Sequence, residues 1–195
     1  MRRAGLAGIV GLLVLAGTFG AWAQLQVNHN NDDDERQLKA TLKGIEEPPS
    51  VSSTGRGSFR ATISSTGDSI DYTLTYSALE GDVLQSHIHL GQKGVNGGVS
   101  VFLCTNLGNG PMGTPLCPGT TSGTVSGTLD ADSVVGPAGQ GIAAGEFAEL
   151  LTAIGRDVTY VNVHSTKHTG GEIRGQVEED KRGRRLQQVG PAPQN

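Results

Sequence analysis

The chain has 195 residues, 30 of them glycine, with 4% aromatic residues, 17% charged residues and a formal net charge of −4. One modest core fits in that length; a two-lobed enzyme, a long helical bundle and a strongly charged tail protein do not. The glycines, at about twice the usual share of about 7%, follow no period of three, which excludes collagen.

Arg2 and Arg3 precede an apolar run through Ile9, Leu12, Leu13, Val14 and Leu15 that closes on Ala21-Trp22-Ala23. This is the pattern of a secretory signal peptide over residues 1–23, cleaved after Ala23. The run is short, holds five glycines and lacks a stop-transfer flank, which argues against a membrane anchor. The mature chain is then 172 residues from Gln24; losing Arg2 and Arg3 leaves 13 basic and 19 acidic residues, a charge of −6. It is expected to be extracellular, or periplasmic in a Gram-negative cell, with no transmembrane anchor after cleavage. No basic stripe suited to nucleic acid is visible. Residues 24–36 form a polar arm with the acidic run Asp32, Asp33, Asp34 and Glu35; it has no periodicity and reads as disordered.

The folded domain is expected over residues 37–177. Leu38, Ala40 and Leu42 alternate with polar residues, the two-residue period of a half-buried strand. Glu46-Glu47-Pro48-Pro49 stops it. Phe59, Ala61 and Ile63 mark a second strand, and Ile70, Tyr72, Leu74 and Tyr76 a third. The turn at Thr66-Gly67-Asp68 makes these two a hairpin with a loop of three to five residues. A strand over Val83–Leu90 places Leu84, Ser86, Ile88 and Leu90 on one face and Gln85, His87 and His89 on the other. Val99, Val101 and Leu103 form the next strand, and Thr124–Leu129 another, interrupted by Gly127. No strand is expected over Asp130–Ala144. Phe147, Leu150, Leu151 and Ile154 have helical spacing, with Gly155 as the terminator. Strands over Val158–Val163 and Glu172–Val177 follow, and residues 178–195 read as a disordered tail. About eight short strands, glycine turns and one short helix make an all-β fold, an antiparallel β-sandwich or barrel.

Cys104 and Cys117 flank a turn-rich segment. In an exported chain they read as a disulfide that staples this loop, contributing about 3 kcal/mol at most. Four of the five histidines, His87, His89, His164 and His168, fall at the ends of two strands; His29 lies in the arm. His87 and His89 leave one strand face together, roughly 6 to 7 Å apart at the backbone. If the strand ending at His164 is their neighbour, three imidazoles gather, a set suited to zinc or copper. His168 is a weaker fourth member; Glu172 and Asp157 are weaker oxygen ligands. The alternative is a set of hydrogen-bonding anchors, with Asn162 and Gln85 as partners. No catalytic residues emerge. There is no Gly-x-Ser-x-Gly elbow, no nucleotide loop and no paired carboxylates, and no open metal position or general base can be named. Glu172, Arg174 and Gln176 share a face and read as a salt-bridged sheet surface or a binding patch.

Four blocks in order resemble the landmarks of the CHRD (chordin) domain family: Leu42-Lys43-Gly44-Ile45-Glu46-Glu47-Pro48-Pro49, Ser86-His87-Ile88-His89-Leu90-Gly91, Tyr160-Val161-Asn162-Val163-His164-Ser165 and Gly170-Gly171-Glu172-Ile173-Arg174-Gly175-Gln176. The resemblance spans about Gln37 to Val177. It implies a β-rich extracellular domain, comparable to immunoglobulin-like or superoxide-dismutase-like barrels, with no enzymatic activity established for the family as a whole. It places family histidine positions at His87, His89 and His164. Lys167-His168-Thr169 departs from the family's proline-containing approach to the last block, and the Cys104–Cys117 loop resembles a local elaboration. The expectation is a secreted, non-catalytic binding or structural module with an extracellular or cell-surface partner; the rival is a small copper- or zinc-binding protein using the histidine cluster.

Overall fold

Residues whose side chains alternate between apolar and polar can bury one face of a strand and solvate the other, and that pattern builds most of this molecule. The computed structural model describes residues 35–180. The expected signal peptide, nearly all of the acidic arm, and the tail beyond Asp180 lie outside the described residues. Nine strands follow in chain order: β1 (Arg36–Lys43), β2 (Arg56–Ile63), β3 (Ile70–Ser77), β4 (Val83–Leu90), β5 (Val99–Thr105), β6 (Gly123–Leu129), β7 (Thr159–Ser165), β8 (Ile173–Gln176) and β9 (Glu178–Glu179), with one helix, α1 (Phe147–Gly155), between β6 and β7. All paired strands are antiparallel, in the order β5-β4-β7-β8-β1-β2-β3-β6, and β9 joins β1. The sheet curls into a nearly closed barrel, the all-β antiparallel architecture the sequence implies.

The seam between the two end strands is closed by side chains. Tyr72 of β3 donates its hydroxyl to the Leu103 carbonyl of β5 at 2.6 Å. Its cross-strand partner in β6 is Gly127, where a Cβ would lie 2.9 Å from the Tyr72 oxygen. Gly127 therefore interrupts the apolar pattern of β6 to leave room for the ring that bridges the seam. Tyr76 repeats the device: it faces Gly123 and donates to the Pro118 carbonyl. Burial pushes both phenols up to about 12.

The barrel interior holds Leu42, Phe59, Ile63, Ile70, Leu74, Ile88, Leu103, Val161, Val163 and Ile173, each at most 1% exposed. Fully burying one such side chain is worth about 1.5–3 kcal/mol. Helix α1 joins this core through Phe147, Leu150, Ala153 and Ile154. The Cys104–Cys117 disulfide is present and buried. Asn106 ties the stapled loop down, donating to the Val83 and Cys117 carbonyls and accepting from the Cys117 amide.

Four local expectations change. The β2–β3 connection has six residues, because Ser64 spans the turn to Asp68 and Ser69. Gly155 lies inside α1; the left-handed residue after the helix is Asp157, at φ 58°. Leu151 is only partly buried, and Ala153 takes its place on the buried stripe. Glu178 and Glu179, read as the start of the tail, pair with Lys39 and Leu38 as β9, and Glu179 receives two hydrogen bonds from Arg36.

Candidate metal centre

Strand β4 lies between β5 and β7, and β7 lies beside β8. The β4–β7 register sets His87 opposite Asn162, His89 opposite Tyr160 and Gln85 opposite His164. The β7–β8 register continues the row, with Asn162 opposite Arg174 and Tyr160 opposite Gln176. The alternate residues, Ile88, Val161, Val163 and Ile173, point into the core. The histidines therefore occupy the opposite face of the sheet, yet His87 is 2% exposed and His89 and His164 are each 7% exposed.

Hydrogen bonds to this face identify its cover. Arg174 donates to the Gln92 and Val95 carbonyls at 3.0 and 2.9 Å, and Gln176 donates to Gly91 at 3.0 Å. These hold the segment after β4 against the face. Asn96 of that segment donates to the Pro48 carbonyl, linking it to the turn after β1. Arg174, 1% exposed, also lies 3.3 Å over the ring of Tyr160, and that ring stacks on His89 at 4.7 Å with a 4° tilt. Phe102 packs edge-on against His87 at 4.5 Å.

One ligand nitrogen from each of His87, His89 and His164 can be chosen so that all lie within 4.8 Å of one another. A point within about 3 Å of all three then exists, close to the reach of a metal–imidazole bond of about 2.0–2.1 Å. Backbone carbonyls fix two tautomers. His89 Nδ1 lies 2.9 Å from the Gly97 carbonyl, and His164 Nδ1 lies 2.9 Å from the Thr169 carbonyl. A carbonyl only accepts, so both Nδ1 atoms carry the proton and both Nε2 atoms present lone pairs. His87 Nδ1 stands 3.2 Å from His164 Nε2, and the Asn162 side-chain amide stands 3.1 Å from the same nitrogen, whose lone pair can accept only from the NH2 end of that amide. His89 Nε2 and His87 Nε2 are buried with no hydrogen-bond partner.

Burial keeps the cluster uncharged. It pushes His87 down to about 3, with His164 and His89 adding to the shift. It pushes His89 down to about 4, against the opposing bond to Gly97. His164 is lowered by burial as well. The ligand form of imidazole is the neutral one, so no proton has to leave before an ion is bound near neutral pH. Nearby, Glu47 is 7% exposed, and burial pushes its carboxyl up to about 7 against the pull of Arg174. Its Oε1 has no hydrogen-bond partner.

The remaining sequence candidates separate from this cluster. His168 lies off it, with Nε2 3.7 Å from Glu80 Oε2. Glu172 and Asp157 do not join it either. Gln85 accepts from Asn109 rather than from a histidine, whereas Asn162 does meet His164. Glu172 and Arg174 are not a surface ladder. Both are interior, and they point to different partners: Glu172 accepts from the Ser53 hydroxyl and the Glu80 amide, each at 2.7 Å, while Arg174 holds the loop after β4. Strand parity placed them on one face but could not show what covers it. The carbonyls of Gly97 and Thr169, the Arg174 clasp and the buried Glu47 carry no sequence signal, because each depends on where a loop returns.

A family model for the CHRD domain matches residues 38–177. The chain belongs to the CHRD domain family. The match begins in β1 and ends just beyond β8, so it includes every residue of the histidine cluster and the Arg174 clasp. No curated protein and no solved structure matches the chain.

Proposed function

We propose that this CHRD domain is a secreted, non-catalytic binding module whose histidine cluster holds a transition-metal ion, zinc or copper, through His87, His89 and His164. The observation that carries the metal is the convergence of three buried, neutral imidazoles, two of them with the tautomer set by a backbone carbonyl. An unpartnered buried nitrogen such as His89 Nε2 costs free energy in the metal-free protein, and an ion satisfies it. Neutral imidazoles suit zinc and copper. The burial of the cluster favours an ion that braces β4 against β7 over one that turns over substrate. No helix among the described residues is long and apolar enough to cross a membrane. The pattern over residues 1–23 supports export, and amino-terminal sequencing of exported protein is expected to begin at Gln24.

Metal analysis of purified protein, with calorimetric titration of the chelated form by Zn²⁺ and Cu²⁺, tests the centre. One equivalent is expected. Second-sphere changes at metal sites typically cost about 10–100-fold in affinity, and His89→Ala removes a ligand itself, so its loss should exceed that range. Stoichiometric metal retained in His89→Ala would remove His89 from the ligand set.

A further inference from the structure

The outward face of β1 and β2, away from the histidines, carries a second chemical pattern. Lys39 stands directly opposite Arg60, and Lys43 directly opposite Arg56. All four side chains are exposed. Like charges placed directly across strands repel and weaken a sheet. Of the other described cations, Arg36 pairs with Glu179, Lys93 with Glu46 and Lys167 with Glu80, Arg174 is buried against carbonyls, and Arg156 forms no salt bridge. Among the described residues none of the four on β1 and β2 forms a salt bridge. Three carboxylates border the array: Glu178 across from Lys39, Glu46, which shares a hollow with Lys39 and Thr41 and pairs with Lys93, and Asp71, which accepts from the Thr128 hydroxyl at 2.6 Å.

Hydroxyls fill the space between and beside the cations. Thr41 pairs with Ser58 between the two basic pairs, and Ser58 and Arg60 face Thr75 and Thr73 of β3. At the Lys43–Arg56 end the face runs into a cup of about 540 Å³, lined by both cations, by Ser50 and Ser52, and by Ile45 and Val51. Ile45 is 65% exposed there. The two basic pairs are four residues apart along each strand, a separation of roughly 13 Å.

We infer that this face binds a linear anionic polysaccharide, with acidic groups seated on the Lys39–Arg60 and Lys43–Arg56 pairs and a sugar ring entering the serine-lined cup. A polymer with recurring carboxylates or sulfates relieves the repulsion within both pairs at once, and the hydroxyls supply neutral donors and acceptors for sugar hydroxyls. The outward positions of β1 and β2 hold no aromatic side chain. That removes the stacking platform of single-stranded nucleic acid and the aromatic anchors of a membrane surface. This inference does not depend on the metal centre.

The test is binding of the purified protein to dextran sulfate and to alginate, with neutral dextran, single-stranded DNA and anionic phosphatidylserine vesicles as comparisons. Binding to at least one acidic polysaccharide and not to neutral dextran is expected, weakening steeply with salt as counterions return. K43Q/R56Q and, separately, K39Q/R60Q should each lose affinity by about tenfold or more, since each removes two charge contacts. R156Q/K167Q, with the same change in net charge at residues that line neither the basic face nor the cup, should stay within about twofold, as expected for sites outside the contact surface. Unchanged circular dichroism in both pair variants separates lost binding from lost folding; the residues are exposed, so each variant is an independent check. The inference is overturned if neither acidic polysaccharide binds, if the control pair loses as much as the two test pairs, or if DNA or vesicles bind as well as the polysaccharides.

Discussion

The two halves of the barrel sheet solve different problems. In β3, Ile70, Tyr72, Leu74 and Tyr76 are buried while Asp71, Thr73 and Thr75 are exposed. In β7 every residue from Thr159 to Ser165 is buried. The first strand needs only one partner layer, the core; its other face is satisfied by water. The second has the core on one side and a polar layer on the other, roofed by loops. Burying Asn162, His164, Arg174 and the β4 histidines on that side is costly unless each polar group is met. Most are, through backbone carbonyls. The unmet atoms include Thr159 Oγ1 of β7, Gln176 Oε1 of β8 and Glu172 Oε2 as well as His87 Nε2 and His89 Nε2; of these residues the two histidines converge with a third imidazole, His164, and that is where a function is to be sought.

This contrast can be broken at several points. The largest expected effect on folding stability is at Arg174. Arg174→Met keeps much of the volume over Tyr160 but strips hydrogen bonds from the Gln92 and Val95 carbonyls, and should cost about 3–4 kcal/mol in denaturant unfolding. A loss below about 1 kcal/mol would mean that the loop over the histidines is held by other contacts. Next is the disulfide. Cys104→Ser/Cys117→Ser opens a staple across a sequence separation of 13 residues and should cost about 3 kcal/mol, with metal content unchanged because the loop lies off the cluster. Loss of the metal as well would tie the two regions together.

The pH dependence of the metal-free protein comes third. The histidines have lowered values in the fold, so the unfolded chain takes up their protons first as pH falls below about 6.5. Stability from this source is present above that pH and is lost on acidification, through about 4, the value of His89, to about 3, the value of His87. Glu47 runs the other way. Its folded value is raised to about 7, so its contribution is full below about 4.5 and is lost as pH rises to about 7. Glu47→Gln should therefore gain on the unsubstituted protein by about 3 kcal/mol between pH 4.5 and 7, with chelator present and unfolding followed by fluorescence. It should itself lose stability steadily from pH 6.5 downward. A flat difference between the two proteins would show that Glu47 is solvated. The smallest effect is expected on the solvated half: Thr75→Ala in β3 should change stability by no more than about 0.5 kcal/mol in the same unfolding assay. A change of about 2 kcal/mol would reveal a cover on that face.

How much of this could be read from the chain alone follows the same division. In β1, β2 and β3 alternation is clean, because a strand with one wet face writes both its partners into its sequence. The parity of His87 and His89, and of Tyr160, Asn162 and His164, likewise assigned each set to one face. What parity cannot say is whether that face is wet. Glu172 and Arg174 read as surface residues for that reason, although both are buried. Arg174 reaches carbonyls of the loop after β4, and Asn96 of that loop ties it to the turn after β1. The helix was legible from Phe147, Leu150 and Ile154, but its end was not. A glycine at 155 fits the terminator rule, whereas the fold puts the left-handed turn on Asp157, where the chain must reverse into β7. Two residues of β9 escaped notice because a pair of glutamates has no apolar partner to declare; Arg36 supplies their reason.

The most direct test of the account is X-ray absorption spectroscopy at the metal edge of protein loaded with one equivalent of zinc or copper. Three imidazole nitrogens at about 2.0–2.1 Å are predicted, with the imidazole scattering diminished in His89→Ala. A first shell of oxygens without imidazole, or a spectrum unaltered by that substitution, would contradict it.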